Sequence, residues 1–158
     1  MFLLHLITVG KQKEDWQRAG IAEYLRRLGA WCRTEVTEVK EYRLPDDPSP
    51  AQIREGLEKE GRAILQKAGE LPIVALCIEG EQLSSEELAE FLQERQQKGP
   101  GLAFVIGGSF GLSDEVKQNA VLRLSVSRMT FPHQLFRILL AEQLYRAFSI
   151  INGAKYHK

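Results

Sequence analysis

Residues 71–78, Leu-Pro-Ile-Val-Ala-Leu-Cys-Ile, are apolar throughout, as a strand covered on both faces requires. Such a strand sits at the centre of a sheet, with helices packed above and below it. The segments on either side alternate between strand and helix signals. Phe2 to Val9 reads as the first strand, and Trp16, Ala19, Ile21, Ala22, Tyr24, Leu25 and Leu28 recur at helical spacing from Asp15 to Leu28, closed by Gly29. Glu35 to Tyr42 suits a half-exposed strand in an imperfect register, and the Pro-rich stretch from Leu44 to Pro50 is a loop. Ser49-Pro50-Ala51-Gln52 is a capping box with proline at the first helical position, so a helix starts there and runs to about Ala68. Ser84-Ser85-Glu86-Glu87 caps another helix, to about Gln97, and Gly99-Pro100-Gly101 breaks it before a strand from Leu102 to Ile106. A short helix after Ser113, a strand from Val121 to Val126 and a long helix from Pro132 to about Ile151 complete the chain. Strands alternating with helices predict an α/β fold with a mainly parallel sheet and helices on both faces, and 158 residues without an internal repeat predict a single domain, 1–158.

Charge is unevenly placed. The formal net charge is +0, yet residues 121–158 carry six Lys or Arg against the single acid Glu142, and the rest of the chain carries 15 bases against 20 acids. A basic segment on an acidic body suggests a polyanion met on one side. Cys32 and Cys77 form no CxxC pair and read as reduced packing residues, which predicts a cytoplasmic protein. The apolar start is too short to span a bilayer and has no cleavage signal, so no membrane association is expected.

Two strand ends carry the chemistry. Phe104-Val105-Ile106 runs into Gly107-Gly108-Ser109-Phe110-Gly111, and the next strand runs into Val126-Ser127-Arg128-Met129-Thr130-Phe131-Pro132-His133. Loops poor in side chains let backbone N–H and C=O groups approach a small ligand, and ligands of open α/β sheets lie beyond the carboxyl ends of strands. The glycine loop is neither a P-loop nor a dinucleotide fingerprint, which disfavours nucleoside triphosphates and NAD. His133 and Arg137 share a face near the start of the last helix, where the helix dipole favours an anionic or electron-rich partner. That helix is apolar nearly all round, which predicts burial by its own sheet and by a second subunit, hence a homodimer. Glu142 and Arg146 read as an i to i+4 pair that supports the helix. Tyr156-His157-Lys158 either frays, as termini do, or forms an arm that stacks on a base and meets phosphate. His5, His133 and His157 stand with no cysteine or carboxylate at ligand spacing, so no metal is expected.

The runs Val105-Ile106-Gly107-Gly108-Ser109-x-Gly111-Leu112, Leu124-Ser125-x-Ser127-x-Met129-Thr130-Phe131-Pro132-His133-Gln134 and Glu142-Gln143-x-Tyr145-Arg146-Ala147, with the ending Tyr156-His157-Lys158, resemble the SPOUT superfamily of small bacterial methyltransferases. Within it the resemblance is to the pseudouridine N3-methyltransferases of large-subunit (23S) ribosomal RNA, and it extends to Val9-Gly10-Lys11 and Tyr24-Leu25-Arg26-Arg27-Leu28. The resemblance implies a carboxyl-terminal deep trefoil knot, an exception to the rule that folds avoid knots. It implies S-adenosylmethionine bent in that knot, held mainly by backbone groups at Leu76, at Gly107 and Gly108, and along Val126, Ser127, Arg128, Met129, Thr130 and Phe131.

It also implies that attack by pseudouridine N3, a weakly acidic imide nitrogen, on a sulfonium methyl needs the N3 proton removed or its developing charge stabilised, and the reactants held in line. His133 is one candidate base, with Arg137 stabilising charge on the uracil, and His157 is the rival proton acceptor. Tyr156, His157 and Lys158 are expected to grip substrate, with one subunit supplying cofactor and the partner's tail holding RNA in the large subunit or assembled ribosome. A relative acting on a ribose 2′-hydroxyl or another base in tRNA would share the fold and cofactor. A flavodoxin-like binding module and an inactive RNA-binding dimer are the non-catalytic alternatives. The first wants a hydroxyl-rich turn after the opening strand, which Val9-Gly10-Lys11-Gln12-Lys13 lacks.

Overall fold

A computed structural model describes residues 1–158. Ten elements follow in the order β1 (Leu3–Val9), α1 (Asp15–Leu28), β2 (Arg33–Val39), α2 (Pro50–Ala68), β3 (Ile73–Gln82), α3 (Ser85–Lys98), β4 (Gly101–Ile106), α4 (Asp114–Asn119), β5 (Ala120–Ser125) and α5 (His133–Ile151). The five strands form one sheet in the order β2-β1-β4-β3-β5, and every pairing is parallel.

Alternation along the buried strands sorts the core into two layers. Leu4, Leu6, Val74, Leu76, Leu102 and Phe104 face one side, where they meet Leu28 of α1, Leu88 and Leu92 of α3, and Leu140, Leu144 and Phe148 of α5. Ile7, Val9, Ile73, Ala75, Ala103 and Val105 face the other, against Ile64 and Ala68 of α2 and Val116 of α4. Thus α1, α3 and α5 cover one face and α2 and α4 the other. The capping box at Ser49 forms as its sequence demands: Ser49 Oγ accepts the Gln52 N–H at 3.2 Å and the Gln52 side chain accepts the Ser49 N–H at 2.8 Å.

Two strands differ from the sequence expectation by more than one residue. β2 spans Arg33–Val39 rather than Glu35 to Tyr42, because Tyr42 is drawn away from the sheet: its N–H donates to Glu60 Oε2 on α2 at 2.9 Å. β3 continues past Ile78 to Gln82, beyond its pairing with β4. There its register shifts and Glu81 and Gln82 pair with Leu124 and Ser125 of β5. Gly80 permits this, since a Cβ at that position would lie 2.7 Å from the Arg123 carbonyl oxygen. The polar run Glu79-Gly80-Glu81-Gln82 gives no apolar pattern from which to read a strand.

Candidate functional site

Beyond the carboxyl ends of β3, β4 and β5 lies a cleft of about 760 Å³, within the size range of small-molecule sites. Its walls are Leu76 to Glu79, Ile106 to Leu112, Leu124 to Ser127, Met129 to His133, Phe136 and Lys117. The glycine loop is shaped by sterics. A Cβ on Gly107 would meet the Gly111 carbonyl oxygen at 2.3 Å, Gly111 N–H donates to the Gly108 carbonyl at 3.1 Å, and Gly111 itself has φ +84°. Across the cleft, Ser125 Oγ donates to the Ser127 carbonyl at 3.0 Å and Ser127 Oγ accepts the Met129 N–H at 3.0 Å, which curls the segment into a turn. Met129 is left 73% exposed and Phe110 51% exposed, two large apolar side chains without a protein partner to cover them.

Of the nine residues singled out at the strand ends, Leu76, Gly107, Gly108, Val126, Ser127, Met129, Thr130 and Phe131 line this cleft, and Arg128 does not. His133 also lines it, half-buried. Burial, reinforced by the Arg137 guanidinium, pulls its imidazole below the ordinary value, against the opposing pull of the Glu41 carboxylate. His133 is therefore mostly neutral at pH 7 and able to accept a proton.

Arg137 stands elsewhere. It is 1% exposed and absent from the cleft wall. Its Nη2 donates to the Val9 carbonyl at 2.7 Å and the Gly10 carbonyl at 2.9 Å, and its Nη1 lies 3.6 Å from Glu38 Oε2. The guanidinium ties the end of β1 and the edge strand β2 to α5, one turn below His133. It holds α5 against the sheet beneath the cleft, and its charge is felt by His133. Gln134 adds a second tie, bridging the Lys11 carbonyl at 2.9 Å and the Lys13 N–H at 3.4 Å.

The terminal residues gather at the other end of α5, and none of Tyr156, His157 or Lys158 lines the cleft. Tyr156 O–H donates to Glu142 Oε1 at 3.1 Å, its ring packs 4.6 Å from that of Tyr145, and the Arg146 guanidinium lies 4.8 Å from its centroid. Burial and the Glu142 carboxylate push the Tyr156 hydroxyl up to about 12, so it is a phenol at neutral pH. Arg146 pairs with Glu142 and lies 3.1 Å from His157 Nδ1, while His157 Nε2 lies 2.7 Å from Glu86 Oε1 on α3. The tail is thus docked in a polar and aromatic cluster. Glu142 and Arg146, read from sequence as a helix-supporting pair, also anchor it.

Sequence reasoning passed over Glu79 and Lys117, which pair at 2.6 Å on the cleft wall, and Glu41, whose carboxylate lies beside Gly10 and Gly108. Their contacts depend on loops meeting across the sheet, which no local spacing signals. No group of three or more His, Cys, Asp or Glu side chains is arranged to hold a metal ion, and no helix is long and apolar enough to cross a membrane.

A family model described as "Predicted SPOUT methyltransferase" matches residues 2–157. The chain belongs to the SPOUT methyltransferase family. Among curated SPOUT relatives, the Ribosomal RNA large subunit methyltransferase H of Carboxydothermus hydrogenoformans is 48% identical over 155 residues, covering 97% of this chain and 98% of the relative. The protein of the same name from Streptococcus thermophilus is 46% identical, with the same coverage. A solved structure of a probable methyltransferase from Bordetella pertussis Tohama I superposes with a TM-score of 0.59 at 16% identity, over 91% of this chain and 95% of that one, a likeness of fold alone.

Proposed function

We propose that this chain transfers the methyl group of S-adenosylmethionine to N3 of a pseudouridine in large-subunit (23S) ribosomal RNA. The observation that carries the reading is the strand-end cleft of a family member whose full-length relatives are named as methyltransferases of that RNA. The cleft's chemistry fits the donor. Glycine backbone, the Ser127 and Thr130 side chains and the apolar Leu76, Val126, Met129 and Phe131 suit a ligand that is part nucleoside and part aliphatic chain. Glu79 and Lys117 neutralise each other, so no fixed charge on the wall opposes a sulfonium.

When bound, S-adenosylmethionine supplies an electrophilic methyl group. The chain's own residues would hold it through backbone at Leu76, Gly107 and Gly108 and along Val126, Ser127, Met129, Thr130 and Phe131, which line the cleft. Neutral His133 would accept the imide proton of N3 and orient the uracil. Arg137 serves as a positioning residue for His133. Tyr156, His157 and Lys158 would grip the RNA, stacking on a base and meeting phosphate.

The reading includes a homodimer. Leu135, Ile138 and Leu139 of α5 are only half-buried within one chain, which supports a second subunit packed there. A partner's tail then comes to the cleft that its own chain's tail does not line. It also includes a carboxyl-terminal trefoil knot, which membership of the SPOUT family supports. Action on ribosomal RNA sets the work of the protein in the cytoplasm.

The test is methylation of purified ribosomal particles and free RNA with labelled cofactor, followed by nucleoside digestion and mass spectrometry. The expected product is N3-methylpseudouridine. A ribose-methylated nucleoside, or a methylated base in tRNA, would contradict the assignment.

A further inference from the structure

A second cavity, of about 480 Å³, lies under the strap formed by residues 41–48, between that strap and α2. It is built and held open by specific contacts. Tyr42 is pinned to Glu60 through its N–H at 2.9 Å, and the Lys59 ammonium lies 4.6 Å from its ring centroid. Gly56 leaves space for that ring, since a Cβ there would lie 2.9 Å from Tyr42 Cδ1. The cavity and the strand-end cleft share a wall, Ser109 and Phe110, so the two lie side by side.

We infer that this cavity is a subsite for a nucleobase adjacent to the one that is methylated, a base presenting amino or imino N–H groups. The inference rests on the RNA-methyltransferase reading above. Half-exposed Phe110 offers an aromatic face for stacking a splayed base. Glu60 is 9% exposed, and its one hydrogen bond, from the Tyr42 N–H, occupies Oε2, so the buried carboxylate has acceptor capacity left for a ligand. Burial, with the neighbouring Glu41 carboxylate, raises its affinity for a proton against the opposing pull of the Tyr42 N–H. Glu41 also lines the cavity, with its carboxylate toward Gly10 and Gly108 at the edge shared with the strand-end cleft.

Arg43 is likewise unpaired and exposed at the rim, where it suits a backbone phosphate. Acceptors inside and a cation at the rim match a nucleotide, whose base donates N–H groups and whose linkage is anionic. A simple anion would be repelled by Glu41 and Glu60. A simple cation would leave both Arg43 and Phe110 without a role.

The test uses Ile53→Trp, which fills the cavity from α2, and Arg43→Ala, each assayed for methylation of ribosomal particles alongside cofactor affinity by calorimetry. Ile53→Trp is expected to raise KM for particles about tenfold, the loss of one stacked base, with cofactor affinity unchanged. Arg43→Ala is expected to raise KM several-fold and to lower the slope of log KM against log salt by about one. Should Ile53→Trp also lose cofactor affinity, its fold is disturbed and Arg43→Ala decides alone. Unchanged KM and salt slope in an Arg43→Ala enzyme, or unchanged KM in a folded Ile53→Trp enzyme, would overturn the subsite. A wild-type protein that methylates no RNA at all would overturn the RNA-methyltransferase reading and this inference with it.

Discussion

The two arginines of α5 occupy opposite ends of one helix and opposite physical situations. Arg137 is fully buried and bonds the backbone carbonyls of Val9, the last residue of β1, and of Gly10 just beyond it, groups tied to the sheet. Arg146 keeps a quarter of its side chain exposed and bonds only side chains, Glu142 and His157, which can exchange partners. The first arrangement makes a frame and the second a contact surface. An exposed side-chain network can trade its internal partners for phosphate or a base at small cost, whereas a buried guanidinium whose loss orphans two carbonyls cannot.

The most disruptive expected change follows from that contrast. Arg137→Ala leaves the Val9 and Gly10 carbonyls without their side-chain donor, strips Glu38 of its ion-pair partner, and should destabilise the protein by about 3–5 kcal/mol in urea unfolding. Arg146→Ala should cost only about 1 kcal/mol in the same experiment. Similar losses for the two variants would erase the distinction. Deleting Tyr156, His157 and Lys158 should abolish methylation while leaving cofactor affinity near wild type, as calorimetry would read; an active truncated enzyme would remove the tail from the substrate site.

Gly107→Ala forces a Cβ against the Gly111 carbonyl and should weaken cofactor binding about tenfold or more without a matching loss of secondary structure. Retention of full affinity would place the ligand away from the loop. The smallest effect expected is in pH dependence. Because burial lowers the His133 pKa, the acidic limb of kcat/KM should fall below the ordinary imidazole value of about 6.5, and His133→Gln should flatten it. The same shift means that the folded state binds fewer protons than the unfolded chain, so stability declines as pH drops through that range. An acidic limb at or above the ordinary value would show that a different group titrates.

Much of this organisation was legible in the chain. The all-apolar run at 71–78 gave the sheet centre, capping boxes at Ser49 and Ser84 gave the starts of α2 and α3, and the glycine loop after β4 gave the cleft. These signals are local, and local physics sets them. What stayed hidden depended on distant partners. The spacing of His133 and Arg137 correctly puts both one turn apart on α5, but it carries no information that Arg137 meets the carbonyls of Val9 and Gly10. Likewise the end of β2 is decided by Glu60 on α2, and the extension of β3 by a second pairing with β5. Terminal fraying is the usual behaviour of a chain end, and the meeting of Glu86, Glu142, Tyr145 and Arg146 docks this one.

The central claim is that the cleft and the tail are two halves of one site, joined across a dimer. It is tested most directly by mixing a Gly107→Val protein, whose tail is intact, with a protein lacking Tyr156–Lys158, whose cleft is intact. Each alone should be inactive. After exchange of subunits, mixed dimers carrying one whole composite site should restore about a quarter of wild-type methylation, since half the dimers are mixed and each has one of two sites. Continued inactivity of a mixture shown to contain mixed dimers would contradict the account.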